Sequence, residues 1–141
     1  MFPRLLIVSL YHIRRSWSQR LDCYNDDMQI SDYSTQAIST DLYDKEGQAI
    51  DSHAMLEKVL GLVGEAGEVA EKFKKILRDK NGQATPEDKK ELAKELGDIL
   101  WYINSVGIYL GFSLEEIAQN NLDKVLSRRE RGVTQGSGDN R

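Results

Sequence analysis

Two long stretches of this chain repeat apolar residues every three or four positions, which is the spacing of an amphipathic helix. The first stretch runs from His53 or Ala54 to about Arg78, and the second runs from Thr85 to about Leu110. Each predicted helix carries one apolar stripe, formed by Leu62, Ala66, Val69, Phe73 and Ile76 in the first and by Leu92, Leu96, Ile99, Ile103 and Val106 in the second. We expect these stripes to face the core and to pack the two helices side by side.

Helix-capping residues predict four helices in all. Ser31, Thr85 and Ser113 each precede a helical pattern, and their side-chain oxygens can accept a hydrogen bond from a backbone N–H of the first turn. The four predicted helices span residues 32–43, 53 or 54–78, 86–110 and 114–131. No segment of this core alternates polar and apolar residues as a strand does. The prediction is an all-α fold with a four-helix, bundle-like arrangement.

The two ends of the chain differ from this helical core. Residues 1–27 contain a short apolar run and several arginines, with no acidic residue before position 22. We interpret them as an N-terminal extension outside the fold, and the alternative is an organellar transit peptide, which has the same bias. Residues 28–132 form the predicted domain, and residues 133–141 form a Gly-rich C-terminal tail.

The composition limits the classes of function. A chain of 141 residues suits one domain with one core. Its net charge of -4 argues against binding to a nucleic acid polymer, which needs a concentrated basic face. No apolar run is long enough to span a membrane, and the single cysteine, Cys23, excludes an intrachain disulfide and a cysteine-based metal site. We therefore expect a soluble, cytoplasmic protein.

Four acidic residues lie beside the two apolar stripes at matching positions. At about 100° per residue, Glu65 and Glu68 lie about 60° and 120° to one side of the first stripe, and Glu95 and Asp98 lie at the same offsets from the second. Helices packed through their stripes would bring these four carboxylates to one groove. Two such charges about 5.5 Å apart repel by roughly 3 kcal/mol at an effective dielectric of 20. We therefore expect a bound cation, Mg²⁺ first, with Mn²⁺ as a substitute and Ca²⁺ behind it.

The alternative interpretation of these acids is a solvated helix surface. Glu68 is spaced to pair with Lys72 four residues later, as surface acids commonly do. Glu95 and Asp98, however, have no lysine or arginine three or four residues later. Two matching acidic motifs on two matched stripes therefore favour the metal site.

The acidic residues belong to segments that resemble a known family. The sequence GEAGEVAEK at positions 64–72, the sequence ELGDILWY at positions 95–102, and Asn121, Lys124 and Arg128 closely resemble the MazG-like nucleoside triphosphate pyrophosphohydrolases. The resemblance covers the predicted domain, and the C-terminal end is similar to that of short phage or mobile-element members. It implies an all-α enzyme that uses Mg²⁺ to hydrolyse (deoxy)nucleoside triphosphates to the monophosphate and pyrophosphate, as nucleotide-pool housekeeping.

The resemblance also implies roles for residues at the matching positions. The implied metal ligands are Glu65, Glu68, Glu95 and Asp98, and the residues implied to lie near the phosphates are Asn121, Lys124 and Arg128. The family usually builds its sites in a homodimer or homotetramer, at the packing of helices or subunits. Small deoxynucleotides such as dCTP and dATP are the substrates that the likeness suggests.

Four side chains have candidate roles in this chemistry beyond holding the metal. A carboxylate that the metal does not fully use can accept the proton of an attacking water, and Glu65 is the predicted base, with Glu68 nearly as well placed. Lys72 lies between these two acids on the helix, where it can reach a phosphate or pair with Glu68. Tyr102 occupies the matching position on the other helix, where it can stack on a base, bond a sugar hydroxyl, or simply pack at the edge of the core.

Two other functions remain compatible with the pattern. One is a related enzyme with a different substrate, of the dUTPase-like or phosphoribosyl-ATP pyrophosphohydrolase kind. The other is a non-catalytic helical oligomerisation or regulatory module, whose acids only solvate a groove. Pyrophosphate release that depends on Mg²⁺ separates the enzymes from the module, and a panel of nucleotides separates the enzymes from each other.

Overall fold

The computed structural model describes residues 28–43 and 49–133. Within these residues it contains no strand and four helices, α1 (Ile30–Ile38), α2 (His53–Lys80), α3 (Pro86–Tyr109) and α4 (Leu114–Glu130). The prediction of an all-α fold is confirmed. None of the described helices has the length and apolar character needed to cross a lipid bilayer. The predicted N-terminal extension and the tail after Val133 lie outside the described residues.

Two of the predicted helix caps are confirmed. Thr85 Oγ1 accepts a hydrogen bond from the Asp88 N–H (3.2 Å), and the Asp88 carboxylate accepts one from the Thr85 N–H (2.8 Å). Ser113 and Glu116 form the same reciprocal pair at the start of α4, at 3.1 and 2.8 Å. Each pair satisfies N–H groups that a first helical turn leaves without an internal partner. These local bonds fix where α3 and α4 begin.

The first helix begins earlier and ends sooner than predicted. Gln29, rather than Ser31, is the N-cap, and its carbonyl accepts hydrogen bonds from N–H groups of the first turn. The helix ends at Ile38 because the hydroxyls of Ser39 and Thr40 donate to carbonyls one turn back, at 2.6 and 2.7 Å. Such side-chain hydrogen bonds compete with the backbone hydrogen bonds that would continue the helix. No residue of α1 is fully buried, so this helix lies at the surface of the fold.

Helices α2 and α3 form an antiparallel hairpin that is the main body of the fold. The chain reverses at Asn81 and Gly82, which both have positive φ (50° and 78°), and the Gly82 N–H donates to the Ile76 carbonyl at 3.1 Å to close the end of α2. Helix α1 packs on α3, and α4 packs on both α1 and α3. Within the described residues, α4 makes no close backbone contact with α2.

The predicted core-facing stripes are only partly buried. Ile76 is buried, but Ala66 is exposed, and Phe73 and Leu96 are 52% and 56% exposed, so the expectation that these three residues face the core of the chain is wrong. The surface of α2 that meets α3 is centred near Glu65, and Phe73 lies about 80° round the helix from it. The apolar stripe that the sequence predicted on α2 is therefore rotated round the helix from the surface of α2 that packs against α3.

Helix α2 has a second apolar surface, which is exposed. Leu56, Leu60, Val63 and Leu77, called the outer stripe below, are each more than half exposed. They lie about 120° to 180° round the helix from Glu65, on the side of α2 away from α3. A helix that is apolar on both sides is normally covered on both. Among the described residues, none covers the outer stripe.

The cap of α3 predicts a specific acid dependence of stability. Hydrogen bonds from Lys80 (2.7 Å) and then from Thr85 hold the pKa of Asp88 at about 2, below its ordinary value of 3.8. A carboxyl whose pKa is lower in the folded chain contributes stability above its unfolded pKa and loses it as the pH falls through the folded one. We expect thermal melts to show a lower melting temperature for Asp88→Asn at pH 7, and the deficit to shrink between about pH 4 and pH 2.

The neighbouring Glu87→Gln variant controls for the change in net charge, because Glu87 lies in the same helical turn and is exposed. A deficit for Asp88→Asn that stays constant over this pH range would contradict the prediction. Circular dichroism at a helical wavelength measures both variants under the same conditions.

Candidate functional site

The surface between α2 and α3, called the seam below, is lined by charged residues. Near the turn, Lys80 Nζ lies 2.7 Å from the Asp88 carboxylate. Farther along, Lys72 Nζ lies 3.2 Å from Glu95 Oε1 and 3.7 Å from Glu91 Oε2. Each contact joins one helix to the other, in the order that an antiparallel hairpin requires. Ion pairs between the two helices thus lie along the seam from the turn towards its middle.

Three carboxylates meet at the next position along the seam. Glu65 comes from α2, and Glu95 and Asp98 come from α3, and one oxygen of each lies within 4.8 Å of the others. Glu65 and Glu95 are partly buried, while Asp98 is exposed. We call this group the acid triad. The structure thus brings together three of the four acids that the sequence suggested as metal ligands.

Glu68, the fourth of these acids, stands outside the acid triad. Its side chain is exposed, and it lies about 60° round α2 from Glu65, off the centre of the seam. Its negative charge still acts on the triad, because it contributes to the raised pKa of Glu65. Glu68 is therefore a neighbour of the triad in this geometry.

The electrostatics of the triad show an excess of negative charge. Partial burial raises the pKa of Glu65, and the charges of Asp98 and Glu68 and a hydrogen bond with Glu95 raise it further. Lys72 offsets part of this charge, and its own pKa is raised, chiefly by its hydrogen bond to Glu95. An all-oxygen donor set with surplus negative charge is what a hard divalent cation prefers. The residues present therefore fit a metal ion of that kind.

Tyr102 lies directly beside the acid triad. It is one helical turn after Asp98 on α3, and its ring packs against Gly61, which is one turn before Glu65 on α2. A Cβ at Gly61 would come within 2.3 Å of the Tyr102 ring, so only glycine allows this close approach. The predicted substrate-binding tyrosine thus forms the wall next to the carboxylates.

The three residues predicted near the phosphates lie on α4. Asn121 and Lys124 are exposed and line a cavity of about 540 Å³ together with Phe112, Ile117 and Asn120. Arg128, which lies near the end of the helix, is 9% exposed. Because α4 packs on α1 and α3 and not on α2, these residues do not line the α2 side of the seam within the chain.

Two features near the triad were not found from the sequence. Tyr33 of α1 lies close enough to Asp98 for the charge of that residue to raise the pKa of the phenol, in addition to the larger effect of burial. Lys58 is buried on α2, where it pairs with Asp41. The sequence did offer one indication that Lys58 faces the seam. It lies seven residues before Glu65, so the two residues lie only about 20° apart round the helix.

Most of the chain is similar to known proteins. The MazG nucleotide pyrophosphohydrolase domain matches residues 53–133, which contain α2, α3, α4 and the whole acid triad. The gene 37 protein of Mycobacterium phage L5 is 45% identical over 114 residues, which cover 81% of this chain and 100% of that protein. No solved structure matches the chain.

Proposed function

Since the chain belongs to the MazG nucleotide pyrophosphohydrolase family, we propose that it hydrolyses (deoxy)nucleoside triphosphates to the monophosphate and pyrophosphate, with Mg²⁺ as its cofactor. The observation that carries this proposal is the acid triad, in which three carboxylates from two helices meet within 4.8 Å. Nucleotide-pool housekeeping is the role that we assign to this reaction. The small deoxynucleotides dCTP and dATP are the first substrates to test.

The proposed metal ligands are Glu65, Glu95 and Asp98, and Glu68 stays the predicted fourth ligand. When bound, Mg²⁺ would hold phosphate oxygens, offset charge on the leaving pyrophosphate and lower the pKa of a bound water. Mn²⁺ accepts the same oxygen ligands and is the expected substitute. The carboxylates would supply the negative charge that holds the cation at the acid triad.

A carboxylate must also accept the proton of the attacking water. Glu65 and Glu68 are the two candidates. Glu65 belongs to the triad, and its pKa is raised by partial burial and by neighbouring negative charges. Glu68 is exposed and lies next to the triad without belonging to it. A base must stay available to take up a proton. We therefore propose as the base whichever of the two carboxylates the metal does not fully hold, with Glu65 first and Glu68 second.

Two side chains are proposed to bind the substrate from this hairpin. Lys72 carries a positive charge 3.2 Å from Glu95, where it can exchange its carboxylate partner for a phosphate oxygen. Tyr102 presents an aromatic ring against Gly61 beside the triad, which suits stacking on a base or a bond to a sugar hydroxyl. Phosphate and nucleoside would thus lie on opposite sides of the acid triad.

We assign the outer stripe to the contact between copies of this chain in a homodimer or homotetramer. Leu60, Val63 and Leu77 are 61%, 64% and 65% exposed on the side of α2 away from α3, and clustered exposed apolar side chains commonly mark an interaction surface. A second copy presents the same stripe and can cover it in a symmetric contact. Asn121 and Lys124 are exposed on α4 and stay proposed phosphate contacts, whereas Arg128 is only 9% exposed within its own chain.

Pyrophosphate release across a nucleotide panel tests the proposed function. The panel contains the common ribo- and deoxyribonucleoside triphosphates, dUTP, modified triphosphates and phosphoribosyl-ATP, each with Mg²⁺, with Mn²⁺ and with a chelator. We expect pyrophosphate and the monophosphate as products, formed only when a divalent ion is present. Release of inorganic phosphate instead, equal rates in the chelator, or no turnover of any nucleotide would contradict the proposal.

A further inference from the structure

A buried ion pair lies at the end of the seam farthest from the turn. Lys58 is 4% exposed, and its Nζ lies 3.0 Å from Asp41 Oδ1, while the Asp41 side chain is fully buried. The second oxygen of Asp41 accepts a hydrogen bond from the Tyr109 hydroxyl at 2.7 Å. The Tyr43 N–H also donates to Asp41, at 3.2 Å. Both charges are therefore enclosed and satisfied within the chain.

Stability alone is a poor explanation for this pair. Removing two charges from water costs much of what their attraction returns, so well-packed apolar residues often serve as well or better. Lys58 also stands on a helix whose neighbouring core residues, Ala54 and Met55, are apolar. What an ion pair provides beyond apolar packing is a fixed orientation for the groups around it.

Besides the carboxylates of Asp41 and Glu57, two aromatic rings lie beside Lys58, and one of them leads towards the acid triad. Its Nζ lies 5.0 Å from the ring centroids of both Tyr43 and Trp101, the distance of a cation–π contact. The Trp101 indole N–H donates to the Ala37 carbonyl (3.1 Å) and to Thr40 Oγ1 (3.0 Å) at the end of α1. These contacts fix the plane of the Trp101 ring and hold the end of α1 against that ring.

Trp101 in turn orients the wall of the proposed site. Its ring meets the Tyr102 ring edge to face, with centroids 5.0 Å apart and planes at 88°. Tyr102 is held from its other side by Gly61, one turn from Glu65. A line of direct contacts therefore runs from Lys58 through Trp101 to Tyr102, which stands next to the acid triad.

We propose that Lys58 and Asp41 are positioning residues, which hold Trp101 and Tyr102 and the end of α1 as a rigid wall for the nucleoside part of the substrate. This inference rests on the proposed function, because the wall has a role only if a nucleoside triphosphate binds at the triad. Neither charge touches the substrate. Their effect is on its affinity, through the orientation of two aromatic rings.

The test compares Lys58→Met and Asp41→Asn with the conservative Lys58→Arg in the full chain. Lys90→Met is the matched control, because Lys90 is 74% exposed and pairs with Glu87 at 3.6 Å on the outside of α3. We expect KM for the best nucleotide to rise about tenfold or more in Lys58→Met and Asp41→Asn, with kcat within about threefold of the unmodified protein. Lys58→Arg keeps the charge and should restore KM in part, and the Mg²⁺ affinity should stay the same in all variants.

Fluorescence gives a second measurement that does not depend on turnover. The chain has two tryptophans, Trp17 and Trp101, so in a Trp17→Phe background the emission comes from Trp101 alone. We expect Lys58→Met to shift the emission maximum and lower the anisotropy of Trp101, while Lys90→Met leaves both unchanged. The Trp17→Phe protein is the reference for these fluorescence comparisons.

Each outcome separates this inference from the proposed function. An unmodified protein that turns over no nucleotide overturns the proposed function, and the positioning role with it. An active protein whose folded Lys58→Met and Asp41→Asn variants keep the original KM overturns the positioning role alone. Loss of the folded state in both variants would assign the pair to stability and would also overturn it.

Discussion

Replacing Asp98 by Asn is expected to reduce Mg²⁺-dependent pyrophosphate release by about 10³-fold. Asp98 supplies one of three carboxylates of the acid triad, and asparagine keeps its shape but removes its charge. A divalent ion contributes several kcal/mol of transition-state stabilisation, and each 1.4 kcal/mol is about tenfold in rate. Steady-state rates at saturating nucleotide, together with a titration of Mg²⁺, measure the loss of rate and the loss of affinity for the metal.

The same variant should behave differently in a melting experiment. Without metal, Asp98→Asn removes one of several like charges near Glu65, so we expect its melting temperature to equal or exceed that of the unmodified protein. Added Mg²⁺ should raise the melting temperature of the unmodified protein and raise that of the variant much less. Glu130→Gln, which removes an exposed acid on α4, is the control. An active Asp98→Asn protein would show that the triad is not the metal site.

Replacing Val63 by Asp is expected to separate the chains of the proposed oligomer. Val63 is 64% exposed at the centre of the outer stripe, about 160° round α2 from Glu65. A charge at this position loses the apolar contact and must be desolvated, at a combined cost of about 3 kcal/mol. A symmetric contact contains the substitution twice, so association weakens by roughly 10⁴-fold.

Analytical ultracentrifugation measures this change directly. We expect the unmodified protein to sediment as a multiple of its 16.0 kDa chain mass and Val63→Asp to sediment as the single chain. Lys90→Asp changes the net charge by two rather than one at an exposed position, so it controls for charge alone. An oligomer that survives in Val63→Asp would mean that the outer stripe is not the contact surface.

The sequence predicted the helices well because their signals are local. The hairpin of α2 and α3 follows from apolar spacing and from the turn residues Asn81 and Gly82, and the caps at Thr85 and Ser113 need only residues three positions away. The start of α1 was wrong, because Ser31 has the right chemistry for a cap but the chain uses the backbone of Gln29. A cap is identified by backbone geometry as much as by residue type.

The orientation of the helices was harder to predict. Helix α2 is apolar over much of its circumference, so periodicity alone does not decide which side meets α3. The sequence put the acids at the edge of the packed surface, whereas Glu65 lies near the centre of the seam and Phe73 stands outside it. The pair of Lys58 and Asp41 depends on the path of the chain after α1, which has no periodic signal.

The small apolar core sets the conditions under which this protein folds. Among the described residues few apolar side chains are fully buried, with Ala54, Met55 and Tyr109 forming the centre of the core, so this part of the chain gains little free energy from collapse on its own. If much of the burial comes from association, refolding becomes second order in protein concentration, and dilution both slows recovery and lowers the denaturation midpoint.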